Sequence, residues 1–170
     1  MPTLREAAEE FLAQPCLAVA GVSRDTKQPA NLIYRRLRAT GHRVFAINPN
    51  AREVEGDHSY ADIASIPDQL DGLVIATTPT VAERLVSDCV AAGVPRVWLH
   101  RGIGPGSMSD NAVAACREHG ITVIPGGCPN MFGASSDRGH RCMCAVLKLT
   151  GKIPRHVEAP RPTVPAGATR

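Results

Sequence analysis

Aromatic residues are scarce in this chain of 170 residues, at 4%, so any core must be assembled mainly from valine, leucine, isoleucine and alanine. No apolar run approaches the ~20 residues that cross a bilayer, which excludes a membrane-spanning helix. The N-terminal MPTLREAAEEFLAQ is acidic and amphipathic and has neither the basic start nor the apolar stretch of a secretory signal. A cytoplasmic location is expected. Positive charge is in slight excess, +3, which suits an anionic small molecule but falls short of the dense basic stripe of a nucleic-acid binder. The phosphate-loop pattern G-x-x-x-x-G-K-[ST] is absent, and so is the G-x-S-x-G of a serine hydrolase.

What is present is the make-up of one globular domain. Hydrophobic residues reach 44%, and the length fits a single core. The six cysteines read as reduced thiols rather than a disulfide framework. Cys16, Cys89 and Cys116 read as small buried hydrophobes.

Periodicity divides the chain. Thr3 and Glu6 form a capping-box pattern ahead of an amphipathic helix with Leu4, Ala7, Ala8, Phe11 and Leu12 on one face. Five short apolar runs read as buried parallel strands: Cys16 to Gly21, Arg43 to Pro49, Gly72 to Thr77, Arg96 to His100 and Ile121 to Pro125. Helices are expected over Pro29 to Thr40, Pro79 to Ala92, Ser109 to His119 and Arg141 to Leu149, with a short one near Ala61 to Ser65. The expected fold is a single doubly wound, Rossmann-like α/β domain, with five parallel strands in the order 3-2-1-4-5. It spans residues 1–151, and a flexible tail with Pro154, Pro160, Pro162 and Pro165 covers 152–170. His42 and His58 read as surface histidines, and His119 as a partner of a helix C-terminus.

In such a sheet the ligand crevice lies beyond the strand carboxyl ends. That rule selects Gly21-Val22-Ser23-Arg24, Asn48-Pro49-Asn50, Thr77-Thr78-Pro79, His100-Arg101-Gly102 and Gly126-Gly127-Cys128-Pro129. NAD is disfavoured, because Ser23 and Thr26 stand where its G-x-G-x-x-G fingerprint needs glycines and no acid ends strand two. NADP remains an alternative through Arg52, which would make the protein an oxidoreductase. The first turn suits phosphate: Gly21 turns tightly, Ser23 offers a hydroxyl, and Arg24 and Lys27 add charge beside a helix start. With Arg52 and Arg101 on the same rim, a polyanionic ligand is favoured.

These segments resemble those of the small CoA-binding proteins, whose domain is similar to the N-terminal part of the succinyl-CoA synthetase alpha subunit. The resemblance runs from Cys16 to Phe132 through VAGVSRD, GHRVFAINPN, EVEGDHSYADIASIP, DGLVIATTP, VWLHRGI and GGCPNM, in order. The section SSDRGHRCMCAVLKLTG looks like an extension found in some bacterial members. The resemblance implies that coenzyme A lies with its phosphates along Gly21 to Arg24 and its adenosine near Asn48 and Pro49. Thr77, Thr78, Pro79, Leu99, His100 and Arg101 would complete the site. Where the synthetase has a lysine after the strand-two proline, this chain has Arg52, which keeps the charge. Asn48-Pro49 in place of an acid suits a ligand with a 3′-phosphate. The synthetase's phosphorylated histidine belongs to a second domain, so binding without catalysis is expected, and a homodimer stays open. A further alternative is a thiol or metal-dependent redox sensor built on Cys128, or on Cys128 with His140, Cys142 and Cys144. Pro129 follows Cys128 on the same edge, where a pantetheine thiol would reach.

Overall fold

A computed structural model describes residues 1–158 except 103 and 134–137. Helix α1 (Leu4–Leu12) starts from the Thr3–Glu6 capping box. Strand β1 (Cys16–Ala20) leads to α2 (Pro29–Ala39) and β2 (Arg43–Ile47). A hairpin of β3 (Glu53–Val54) and β4 (Asp57–Tyr60) comes next. Strand β5 (Gly72–Ile75), α3 (Pro79–Ala92), β6 (Arg96–Leu99), α4 (Asp110–Glu118) and β7 (Thr122–Pro125) then alternate, and α5 spans Arg138–Leu149.

The sheet corrects the expected topology. It has seven strands, not five, in the order β3-β4-β2-β1-β5-β6-β7. It is mixed, because β3 runs antiparallel to β4 while the other pairings are parallel. The parallel strand that follows β2 is β4, not Gly72–Ile75, which lies on the other side of β1. The sequence DHSY of β4 is polar and carries no apolar run to betray it. Its pairing with β2 is short, Ala46 to Ser59 and Ile47 to Tyr60. The hairpin turn is Glu55-Gly56, with φ of 53° and 80°; two consecutive positive φ values match the strand twist of a two-residue hairpin. The helix expected near Ala61 to Ser65 is a turn, held by Ser65 N–H donating to Asp62 Oδ1 at 2.8 Å.

Strand alternation sends side chains to two core layers. Leu17, Val19, Val74, Trp98 and Ile124 pack with α1, α2 and α5. Ala18, Ala20, Leu73, Ile75, Val97 and Leu99 pack with α3 and α4. Trp98 anchors the first layer: its ring meets Phe11 edge-on at 5.4 Å, and its Nε1–H donates to Gly126 O at 3.1 Å. His42, expected on the surface, is half-buried. Its ring nitrogens lie 2.7 Å from Leu12 O and 3.1 Å from Leu37 O, which staples the ends of α1 and α2 together.

Residues 152–158, which the sequence reading assigns to the tail, lie against α1. Val157 N–H donates to Pro2 O, Leu4 N–H donates to Arg155 O, and Ile153 and Val157 are buried. Residues 159–170 lie outside the described residues. Replacing Ile153 by alanine should lower stability by about 2–4 kcal/mol. Urea denaturation checks this, and an unchanged midpoint would show that the segment adds nothing to the fold.

Candidate functional site

The strand order reverses between β1 and β5, so the crevice opens beyond these two strands. Gly21 ends β1 with φ of +101°, and a Cβ there would stand 2.3 Å from Ala76 O. Only glycine lets the turn pass so close to the end of β5. Two hollows meet at this point, sharing Gly21, Ala76 and Thr77. The larger, about 540 Å³, lies between the end of β2 and α3, with Ile47, Asn48, Pro49, Thr78, Val81, Arg84 and Leu85 among its walls. The smaller, about 320 Å³, lies between the start of α2 and the loop after β6, against Gln28, Pro29, Ala30, His100, Gly102, Gly104 and Gly106.

The first turn is held by a residue that sequence reasoning missed. Asn31, fully buried in α2, accepts from Ser23 N–H at 3.0 Å, and its Nδ2 donates to Ser23 O and to Glu55 Oε1, each at 2.7 Å. Glu55 also pairs with Arg35 at 2.6 Å, so the β3–β4 hairpin braces the turn. The signal was a polar residue in the first turn of an otherwise apolar helix face. Asn48 adds a second brace. Its Nδ2 donates to Val22 O at 2.8 Å, and its Oδ1 accepts from Asn50 N–H at 2.8 Å. Arg24 reaches across to Asn50 O at 3.3 Å. Ser23 Oγ is engaged within its own turn, accepting from Asp25 N–H at 3.1 Å. Neither Gln28, at the N-cap of α2, nor Thr78, at that of α3, caps its helix with a side chain, and proline opens both helices.

The end of β5 is fixed by Ser107, also missed. Its hydroxyl accepts from Thr77 N–H and donates to Thr77 O, both at 2.8 Å. Gly106 lies so close to β6 that a Cβ would stand 2.3 Å from His100 O. His100 is 8% exposed, and burial pushes its imidazole down to about 4.

Not every expected residue faces the crevice. Val22 and Leu99 are fully buried core residues. Cys128 is buried in the layer with Met131 and Phe132 and borders neither hollow. Pro129 borders a separate hollow of about 180 Å³ under α2. Arg24, Lys27 and Arg52 stand outside the walls of both hollows, whereas Arg84 on α3 lies in the wall of the larger. The strand-end rule looked only at loops and passed over this inner face of α3. Arg101 pairs its backbone with Gly127, and its buried Nε has no hydrogen-bond partner among the described residues. Among those residues no group of three or more His, Cys, Asp or Glu could hold a metal ion, and no helix is long and apolar enough to cross a membrane.

The family model for a CoA binding domain matches residues 16–134. The chain belongs to the CoA-binding domain family. Within curated proteins, this CoA-binding domain is 24% identical over 130 residues to acetate–CoA ligase (ADP-forming) I of Archaeoglobus fulgidus, covering 73% of this chain and 19% of that protein. To ligase II of the same organism it is 29% identical over 125 residues, covering 69% and 18%. The chain thus spans less than a fifth of the length of these relatives. In structure it is similar to a hypothetical protein from Pyrococcus horikoshii, with TM-score 0.69, 22% identity and coverage of 85% and 96%. It is similar to the cell-free ID.343 protein of Thermus thermophilus, with TM-score 0.63, 26% identity and coverage of 72% and 90%. A third likeness is the dinucleotide-forming acetyl-coenzyme A synthetase 1 of Ca. Korarchaeum cryptofilum, solved with phosphate and ADP. There the TM-score is 0.58, the identity 27% and the coverage 68% and 27%.

Two outcomes follow for the CoA-binding domain without ligand. Asn31→Ala strands the Ser23 amide and the Glu55 carboxylate, so urea unfolding should show a loss of about 1–3 kcal/mol; no loss would mean that the clamp is dispensable. His100 resists protonation when folded but takes a proton below its ordinary 6.5 when unfolded. Stability should therefore fall as pH drops from 6.5 to about 4, by on the order of 3 kcal/mol. His100→Gln should flatten that part of the pH–stability curve, and an unaltered curve would contradict the assignment.

Proposed function

We propose that this protein binds coenzyme A, free or acylated, across the two joined hollows, without catalysis of its own. The observation that carries the reading is the crevice at Gly21. Bare backbone there passes between two hollows, beside a helix start that no side chain caps. A pyrophosphate is the group that such a junction favours, since backbone N–H groups and the helix dipole both attract anions. The larger hollow suits adenosine: Ile47, Pro49, Val81 and Leu85 offer apolar walls, and Arg84 offers a cation for phosphate beside the carboxylates of Asp62 and Asp88. Arg24, Lys27 and Arg52 add a positive rim. The end of β2 carries Asn48, whose side chain is already committed to Val22 and Asn50. A carboxylate there would hydrogen-bond a free ribose hydroxyl but repel a 3′-phosphate, so this end favours CoA over NAD.

Membership of the family supports the reading, as do the names of the relatives, which include acetate–CoA ligases and an acetyl-coenzyme A synthetase. A binding role suits the serines at the crevice edge, which are engaged in fixing its turns: Ser23 with Asp25 and Ser107 with Thr77. Cys128, buried below the surface, is poorly placed to exchange with a ligand thiol.

Isothermal titration with CoA, dephospho-CoA, NAD and NADP tests the proposal. CoA should bind tightest, and removal of the 3′-phosphate should weaken binding about tenfold. Gly21→Val should abolish binding. Tighter binding of NAD or NADP than of CoA would overturn the reading.

A further inference from the structure

The hollow under α2, of about 180 Å³, shares no wall residue with the two that meet at Gly21. Thr40 and His42 in its wall stand just ahead of β2, and Leu12 stands just ahead of β1. It therefore lies at the amino-terminal edge of these strands, the edge away from the crevice. Leu12, Leu37, Pro129 and Phe132 give it an apolar lining. Two of its polar wall residues are spent on the fold. The ring nitrogens of His42 lie against Leu12 O and Leu37 O, and Thr40 Oγ1 lies 3.0 Å from both Arg36 O and Leu37 O. Asn130, in the 3₁₀ turn Pro129–Met131, is different. It lines the hollow and is 4% exposed, yet its Nδ2 is buried with no hydrogen-bond partner among the described residues. A buried amide in that state is unfavourable, and native folds usually satisfy one. Water is a poor remedy, because a buried water needs two to four polar partners of its own and these walls are mainly apolar.

Size and charge narrow the choice of ligand. The hollow is slightly larger than the ~150 Å³ apolar cavity that takes benzene, and well below the roughly 300–1,000 Å³ of sites for larger ligands. A nucleotide is too big for it, whereas a single ring or a short branched chain fits. Arg36 brings a guanidinium to the wall, and none of the described lining residues is acidic. A guanidinium carries five N–H donors in a planar fork, so it can serve an incoming group as well as its neighbours. An amide donor and a cation in one apolar hollow match a carboxylate, whose oxygens only accept, carried on an apolar body. A neutral hydroxyl would use the amide and leave the cation idle. Inorganic phosphate would match the donors but not the apolar walls.

We propose that the hollow under α2 is a second ligand site, which takes a small monocarboxylic acid with an aromatic or short branched body, its carboxylate held by Asn130 and Arg36. The site is independent of the proposed binding of CoA. Helix α2 separates the two: Pro29 and Ala30 at its start border the crevice, and Arg36 and Leu37 border the second site, about 10 Å further along the helix.

Benzoate is the probe and benzyl alcohol its neutral counterpart, each titrated into the isotope-labelled full chain and followed by amide chemical shifts. Benzoate should give saturable shifts at Thr40, Asn130 and Gly133 with a Kd of about 1 mM or below, and should leave Gly21 and Thr77 unmoved. Benzyl alcohol should bind about tenfold more weakly, the scale of a lost charge-assisted contact. Asn130→Asp keeps the shape of the side chain but opposes an anion, so it should abolish benzoate binding while the rest of the spectrum stays that of the folded protein. Arg36→Met, which keeps the apolar stem and removes the charge, should weaken benzoate about tenfold, so the outcome does not hang on the folding of one variant. Shifts that fail to saturate at about 20 mM benzoate, about twentyfold above that Kd, would mark loose surface association and overturn the proposal. Equal affinity for benzoate and benzyl alcohol would overturn it, as would undiminished benzoate binding by Asn130→Asp and Arg36→Met. Shifts centred on Gly21 and Thr77 would place benzoate in the crevice and overturn it as well.

Discussion

The crevice depends on how closely the turn after β1 passes the end of β5. At Gly21 the backbone lies against the Ala76 carbonyl with no space for a Cβ. That approach has two effects. It brings the start of α2 to the junction of the sheet's two halves, and it leaves backbone rather than side chains facing a ligand. The remaining polar structure serves this contact. Asn31 holds the turn from below, Asn48 from the β2 side, and Ser107 fixes the facing end of β5. Each brace is a side chain bonded to backbone, a cheap way to satisfy groups that a tight turn removes from the ladders.

The β3–β4 hairpin belongs to the same system. It closes the sheet beside β2, and it also ties back to α2 through Glu55 to Asn31 and Arg35, Tyr34 to Asp57, and the ion pair of Arg38 with Asp57. Loosening the hairpin would reach the first turn through Asn31. The crevice end of the molecule is thus supported by a polar network running along one face of α2, while the opposite face of the sheet is sealed by apolar packing of α3 and α4.

Much of this was legible in the sequence, and the failures have physical causes. The five apolar strands were readable because four of them are buried on both faces and β2 is buried at its C-terminal end, so none needs alternation. Strand β4 was not, because DHSY lies beside the sheet edge, its Asp57 is turned to Tyr34 and Arg38 of α2, and its ladder to β2 is two residues long. With it unseen, Gly72–Ile75 was placed beyond β2 rather than beside β1, which reversed its side of the sheet. The rule that ligands gather at strand ends found Gly21, Asn48, Pro49, Thr77, Thr78 and His100 in the crevice. It names segments and not side-chain directions, so it also took Val22, which points into the core, and Pro129, which borders a different hollow; the family resemblance added Leu99, which is likewise a core residue. Asn31, Ser107 and Arg84 lie within helices or a glycine-rich loop. Their importance comes from tertiary neighbours that no local pattern encodes.

The central claim is that a single ligand occupies both hollows at once, joined at Gly21. Amide chemical-shift mapping of the labelled protein during titration with CoA tests it most directly. The account predicts shifts on both sides of the junction: Asn50, Thr77 and Thr78 around the larger hollow, and Gly21, Ala30, His100 and Gly104 around the smaller. Shifts confined to one side, or centred on Thr40, Asn130 and Gly133 at the separate hollow under α2, would contradict it.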